Sequence, residues 1–164
     1  MIKHSNPIHL YSLPGRPIPL QRPRYSVTHV YDAQKKEKAV SSVYLAQQHN
    51  DRPLIPGPIE LTVIFYFETP KKTPSLEGKY HTSKPDLDNC IKYVSDISNG
   101  ILYRDDSEIS VIHAMKLYSR NPRTDIKLQQ MSVWKRLYYY VFSAFVKPSS
   151  YEKSLSTFFE NEDL

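Results

Sequence analysis

The feature that most constrains the fold is a ten-residue run, IELTVIFYFE at positions 59–68, which is rich in β-branched and aromatic residues. Such side chains suit the pleated surface of a sheet, so the run predicts a central β-strand. Positions 8–13 predict a first strand, and positions 109–117 alternate in a way that predicts another. We expect positions 124–131 to pair with the strand at 109–117 after the turn SRNPR, and His113, on the apolar side, to be a buried core histidine.

Two segments between these strands predict helices. A helix capped by Asp32 is expected to run to about His49, and the residues on its buried face would be Val40, Val43, Tyr44 and Gln47. A second helix follows the sequence KPD, and its buried stripe would be Leu87, Ile91 and Val94. Gly100 is placed to end it, because glycine readily adopts the left-handed turn that closes many helices. The pattern indicates an α/β fold, a small mixed β-sheet with two main helices.

The length of 164 residues allows one compact domain and a short appendage. We predict a domain at residues 1–131 and a C-terminal helical extension at residues 132–164 that packs on the domain or on a partner subunit. The extension's apolar stripe would be Trp134, Leu137, Val141 and Phe145. The single cysteine excludes an internal disulfide framework and a four-cysteine zinc site. No run resembles a signal peptide or a membrane span, so we expect a cytoplasmic protein without a membrane partner.

Charge is segregated along the chain. Residues 86–108 contain six carboxylates against Lys92 and Arg104, a net of −4, whereas the whole chain carries +5, so the remainder carries +9. A basic surface suits a polyanion such as nucleic acid, and an acidic spot on it would repel phosphate unless a cation lay between them. A divalent metal ion would satisfy both. The alternative, in which the basic residues only solvate the surface, stays open at this point.

The acidic stretch has a helical spacing. Asp88, Lys92 and Asp96 are four residues apart, so on a helix they share one stripe. Asp86 lies just before the helix, so its carboxylate can turn toward that of Asp88. Oxygen ligands of this kind suit Mg²⁺, with Mn²⁺ as a substitute, rather than zinc.

A third carboxylate can come from the pair Asp105 and Asp106, which stands at the start of the next strand. Each piece also has an ordinary structural interpretation. Asp86 and Asp88 could cap the helix, Lys92 could be a simple partner of Asp88, and the aspartate pair could belong to a turn. Nucleotide hydrolysis by a phosphate-binding loop is excluded, because the sequence has no GxxxxGK[ST] motif.

The run KPDLDNCIKYVSDISNGILYRDDSEI closely resembles the signature of the RusA family of Holliday junction resolvases. That signature has an Asp-x-Asp-Asn, a lysine four residues on, a further aspartate, an Asn-Gly-like helix end and a paired Asp-Asp. A looser likeness extends upstream through PIPLQRPR, so the resemblance covers about residues 7–131. It implies a small α/β fold that acts as a Mg²⁺-dependent homodimer and cuts opposite strands of a four-way DNA junction symmetrically.

The resemblance also implies roles for individual residues. The metal-binding, catalytic carboxylates would be Asp86, Asp88 and Asp106, and Lys92 would be the lysine needed for cleavage. Two further positions could serve as accessory acids: Asp105 and Asp96. We expect DNA contacts from three basic residues: Arg22, Arg24 and Lys84. This chain departs from the family pattern in continuing for 33 residues beyond position 131, which concerns the dimer arrangement more than the chemistry.

Two other functions are compatible with the same residues. One is a metal-dependent nuclease that acts on other branched or single-stranded nucleic acid, since the spacing of carboxylates does not encode the shape of the substrate. The other is an inactive module that only binds branched DNA. The presence of all three aspartates and of Lys92 favours an active enzyme over the second alternative.

Overall fold

The computed structural model describes residues 6–22, 24–25, 30–132 and 137. Its elements, in chain order, are β1 (Ile8–Pro14), β2 (Arg24–Tyr25), β3 (Val30–Tyr31), α1 (Lys35–His49), β4 (Ile59–Glu68), α2 (Leu87–Ser98), β5 (Ile109–Ser119) and β6 (Arg123–Gln130). Met1–Met131 forms one compact unit. The predicted C-terminal helical extension lies outside the described residues except for Ser132 and Leu137, so it stays a prediction.

Four strands form one mixed sheet in the order β1-β6-β4-β5, and β2 and β3 form a separate small hairpin. In the large sheet β4 is parallel to β5, while β6 is antiparallel to both β1 and β4. Alternate side chains of β4 are at most 2% exposed and form the centre of the core: Ile59, Leu61, Val63, Phe65 and Phe67. The predicted α/β fold with a central strand at 59–68 is confirmed.

The expected pairing of the last two strands is wrong. β6 does not pair with β5 but lies on the other side of β4, between β4 and β1. The chain leaves the sheet after Glu68, at the end of β4. The short link between β5 and β6 can therefore cross over that end, and β4 lies between β5 on one side and β6 on the other. β5 is consequently an edge strand. The side chain of His113 is half-exposed and lies 3.3 Å from the Glu60 carboxylate, so it is not a core histidine.

Helix α1 buries a different face from the one expected. Val40 and Val43 are more than half exposed, whereas the buried residues are Ser41, Leu45 and His49. The two polar side chains in this set are hydrogen-bonded inside the core: the Ser41 hydroxyl lies 3.0 Å from the Tyr93 hydroxyl, and His49 Nδ1 lies 2.8 Å from the Tyr11 hydroxyl. The other ring nitrogen of His49 is buried without a hydrogen-bond partner among the described residues. Polar side chains that find a partner in the core are buried at little cost, so hydrophobicity alone misjudged this face.

Helix α2 connects the two parallel strands and therefore runs in the opposite direction to them. Its buried face is Cys90, Tyr93, Val94 and Ile97. Of the predicted stripe, Val94 is buried, and Leu87 and Ile91 are partly buried against the same core. Burial raises the pKa of the Cys90 thiol to about 11, so this thiol is inert at neutral pH. The helix has 12 residues and is about 18 Å long. Its N-terminal end lies at the carboxyl ends of β4 and β5, and its C-terminal end lies where those strands begin.

Candidate active site

Two aspartates occupy the N-terminal end of α2. Asp86 stands at the N-cap position with extended backbone, yet its side chain makes no capping hydrogen bond, and it is exposed. Asp88 lies in the first turn, 3.1 Å from the Lys92 ammonium, and both side chains of this pair are at least 60% exposed. The hydrogen bond from Lys92 holds the pKa of Asp88 below its ordinary value. Asp86 is thus an unused carboxylate rather than a helix cap.

A groove runs beside these carboxylates. It is bounded by the proline-rich segment 16–21 on one side and by the start of α2 on the other, and its volume is about 570 Å³. The segment is attached to the helix by the Leu20 amide, which donates to the Asn89 carbonyl at 2.8 Å. Two cations, Arg16 and Lys84, line the groove together with Asp86, and Glu37 lines it as a second acid. In this arrangement the cations can bind phosphates of a nucleic-acid strand, and the carboxylates then face the sugar-phosphate backbone of that strand.

The basic residues named from the sequence have different positions. Lys84 lines the groove, as its predicted DNA contact requires. Arg22 is exposed just beyond the groove-forming segment, and the side chain of Arg24 lies outside the described residues. Sequence reasoning missed Arg16. Its signal was the arginine-rich loop itself, but only the packing of that loop on α2 shows which arginine borders Asp86.

The other acidic residues lie toward the C-terminal end of α2. The Asp96 carboxylate is 3.0 Å from the Lys38 ammonium, which also contacts Asp32 at 2.9 Å. Asp105 accepts a hydrogen bond from the Ser107 amide at 3.0 Å, and hydrogen bonds from the side chain and the amide of Ser107 lower the pKa of Asp105. Asp96 and Asp105 therefore serve the fold, one by joining two helices and the other by capping a turn.

Asp106 differs from its neighbours. It begins the short 3-10 turn Asp106–Glu108, it is exposed, and its carboxylate has no hydrogen-bond partner among the described residues. Its charge acts on the nearby Tyr103, whose pKa rises to about 12, chiefly through burial. The turn packs against Gly57. If residue 57 had a side chain, its Cβ would lie 2.9 Å from the Cβ of Glu108. Gly57 thus allows the turn that carries Asp106 to sit directly against the start of β4.

A single chain does not bring the three predicted metal-binding aspartates together. Asp86 and Asp88 lie at one end of α2, and Asp106 lies beyond the other end, with a helix of about 18 Å between them. Within the described ranges no group of three or more histidine, cysteine, aspartate or glutamate side chains could hold a metal ion. One chain alone therefore does not fit the expected three-carboxylate magnesium site.

Comparison with known proteins gives the family. The chain matches Endodeoxyribonuclease RusA over residues 14–129. It is also 31% identical over 136 residues to "Uncharacterized protein YqaN" of Bacillus subtilis (strain 168), an alignment that covers 74% of this chain and 96% of the relative. No helix in the described part of the chain is long and apolar enough to cross a membrane. Since the family match covers most of the chain and both ends of α2, this protein belongs to the RusA family of endodeoxyribonucleases.

Proposed function

We propose that this protein is a Mg²⁺-dependent endonuclease that resolves four-way DNA junctions by symmetric cutting, with two copies acting together. Family membership supports DNA cleavage. The observation that carries the assignment to a particular site is the pair of exposed carboxylates, Asp86 and Asp88, beside a groove lined by Arg16 and Lys84. Exposed carboxylates that do not join parts of the fold, next to cations that can bind phosphate, are expected at a site where a phosphodiester is cut.

The three cations near Asp86 and Asp88 have defined roles in this proposal. Arg16 and Lys84 bind phosphates of the cut strand and orient it toward Asp86. Lys92 leaves its exposed ion pair with Asp88 to meet the negative charge that develops on the scissile phosphate. A bound Mg²⁺ would supply an activated water and neutralise phosphate charge.

We further propose that a second copy contributes Asp106. A two-fold axis relates copies that run in opposite directions, so the C-terminal end of α2 in one copy can lie beside the N-terminal end in the other. The edge strand β5 offers a route. In the described part of the chain, the backbone of residues 109–115 has no hydrogen-bond partner on its outer side, and Ile112, in the middle, is 46% exposed. An open edge of this kind is suited to antiparallel pairing with another β5.

The substrate is tested with a fixed, end-labelled four-way junction and a linear duplex of the same sequence, each with and without Mg²⁺. We expect paired nicks at symmetric positions in the junction, no cutting of the duplex, and no cutting by Asp88→Asn. Flap and fork substrates test the alternative nuclease. Equal cutting of the duplex, or no cutting of any branched substrate, would contradict the proposal.

The shared site is tested by mixing two inactive variants, Asp88→Asn and Asp106→Asn, on a plasmid that extrudes a cruciform. If the two ends of α2 meet across copies, a mixed dimer has one site with both substitutions and one site with neither. It should then nick the cruciform without linearising it, whereas each variant alone does nothing. If all three carboxylates act within one chain, both sites of the mixed dimer are damaged and no nicks appear.

A further inference from the structure

The position of Asp86 depends on a long connection that has few attachments. Residues 69–85 join β4 to α2, and the end that precedes Asp86 is exposed at Thr82, Ser83 and Lys84. At the far end of the connection, the Thr69 hydroxyl donates to the Glu77 carboxylate at 2.6 Å, and that carboxylate also accepts from the Arg120 amide at 3.1 Å. Those contacts fix the beginning of the connection but lie well before Asp86 in the chain.

The middle of the connection is paired with the end of β5. The Gly78 amide donates to the Tyr118 carbonyl, the Tyr118 amide donates to the Lys79 carbonyl, and the His81 amide donates to the Lys116 carbonyl, each at 2.9 Å. Residues 78–81 thus form a short antiparallel addition to the sheet. The pairing stops at His81, five residues before Asp86.

The Lys116 side chain extends this attachment to the residues next to Asp86. Its ammonium donates to the Ser83 carbonyl and to the Pro85 carbonyl, both at 2.7 Å. Charge-assisted hydrogen bonds of this length are among the stronger ones in proteins. In the described part of the chain, one further hydrogen bond reaches residues 82–85, between the Ser83 backbone and the His81 side chain. Lys116 itself is half-buried and has no carboxylate partner among the described residues.

Lys116 meets the first turn of α2 from the side of the sheet, because Pro85, whose carbonyl it holds, directly precedes the N-cap residue Asp86. Asp86 and Asp88 are both exposed, so their carboxylates lie on the solvent side of that turn.

We propose that Lys116 is a positioning residue for the site: by holding the carbonyls of Ser83 and Pro85 it fixes the backbone from which the Asp86 carboxylate approaches Asp88. The inference rests on the proposed function for the role of Asp86 in cutting. Loss of the ammonium removes the two hydrogen bonds that hold the Ser83 and Pro85 carbonyls, while the sheet pairing of residues 78–81 stays in place. A catalytic carboxylate that is misplaced by about 1 Å can cost on the order of 100-fold in rate.

The test compares three variants. Lys116→Met removes the ammonium and keeps a long apolar stem, and Lys116→Arg restores a cation. Thr69→Val is the matched control, because it loosens the far end of the same connection through loss of the bond to Glu77. Three quantities are measured for each variant: the backbone order parameter of Asp86 by NMR, the single-turnover cutting rate at saturating protein, and junction affinity in Ca²⁺.

For Lys116→Met we expect the Asp86 order parameter to fall from a rigid value of about 0.85 toward 0.6. The cutting rate should fall by about 10- to 100-fold with junction affinity unchanged. Lys116→Arg should recover most of both losses. Thr69→Val should lower the melting temperature at least as much as Lys116→Met, yet leave the Asp86 order parameter and the cutting rate close to wild type.

Several outcomes would overturn the inference. One is an unchanged Asp86 order parameter in Lys116→Met, a measurement that does not depend on whether the protein cuts DNA. Another is an equal loss of rate in Thr69→Val, which would make the effect one of general stability. A third is weaker junction binding with a normal rate at saturation, which would make Lys116 a DNA contact. A wild-type protein that cuts nothing, combined with an order parameter that responds as expected, would refute the proposed function and leave the positioning role standing.

Discussion

The two ends of helix α2 are both acidic, but they use their carboxylates differently. At the C-terminal end, Asp96 is paired with Lys38 and Asp105 caps a turn. At the N-terminal end, Asp86 has no side-chain hydrogen bond, and Asp88 has only an exposed partner in Lys92. Asp106 is the exception at the C-terminal side, since it is exposed and unpaired among the described residues.

This contrast separates carboxylates that stabilise the fold from carboxylates that are available for chemistry. The available ones, Asp86, Asp88 and Asp106, are the three that the family resemblance identifies as metal-binding. Their role in cutting is still a prediction. The contrast nevertheless makes it specific: a substitution should affect stability where the carboxylate joins two elements or caps a turn, and catalysis where it is exposed and does neither.

The largest expected effect is on cutting by variants of the available group. Asp86→Asn, Asp88→Asn and Asp106→Asn should each lower the single-turnover cutting rate by at least about 100-fold. Junction binding should stay near wild type or tighten, because a carboxamide removes repulsion from phosphate. Asp96→Asn is the comparison and should cut normally. If Asp96→Asn loses as much activity as the other three, the division between the two groups is wrong.

A smaller effect on cutting is expected from Gly57→Ala. The added methyl would lie 2.9 Å from Glu108 Cβ, so the turn that carries Asp106 must shift. Overpacking of this kind costs about 1–3 kcal/mol, and we expect a lower melting temperature together with reduced cutting. Gly100→Ala is the control, because its φ of +71° makes alanine strained but its surroundings are open. Equal cutting by the two variants at equal stability would show that the position of the turn does not matter.

A change in affinity, rather than rate, is expected from Arg16→Ala. Loss of one phosphate contact should weaken junction binding across sequences and reduce the slope of log affinity against log salt by about one. Lys127→Ala is the matched control, since Lys127 lies on the face of the sheet opposite the helices. Binding would be measured in Ca²⁺ at several salt concentrations. An unchanged slope for Arg16→Ala, or an equal change for Lys127→Ala, would remove Arg16 from the DNA interface.

The smallest effect should appear only in acid, through the ion pairs of Lys38. The hydrogen bond from Lys38 lowers the pKa of Asp32 from its ordinary value of 3.8. A lowered folded pKa contributes stability that is fully present above the unfolded value and is lost as pH falls through the folded value. The melting temperature of the wild type should therefore fall more steeply below about pH 4 than that of Lys38→Met, while cutting at neutral pH is unaffected. Parallel pH profiles for the two proteins would contradict this.

Much of the fold could be predicted because its signals are local. The run at 59–68 marked the central strand, and the end of α2 at Asn99 and Gly100 followed from glycine chemistry. The errors concern contacts between distant residues. The buried face of α1 was misjudged because Ser41 and His49 are buried with partners on α2 and β1, 52 and 38 residues away. The neighbour of β6 was misjudged because a short link suggests a hairpin, whereas β4 pairs with strands on both sides.

The candidate site divides in the same way. Its acidic residues and Lys92 were found from spacing, since residues four apart on a helix share a face whatever surrounds them. Arg16 and Lys116 were not found, because each reaches the site across a long stretch of sequence. Arg16 does so through the packing of its loop on α2, and Lys116 does so through two carbonyls more than 30 residues before it.

The sequence by itself determined the family, the two helices and central strand, and the set of carboxylates from which an active site could be drawn. Only the tertiary structure decided which carboxylates are already paired, which cations border the groove, and that Asp106 lies at the opposite end of α2 from Asp86 and Asp88. The physical reason is the range of the interactions. Local spacing fixes which side chains share a helix or strand, whereas ion pairs, grooves and supporting hydrogen bonds depend on how those elements pack.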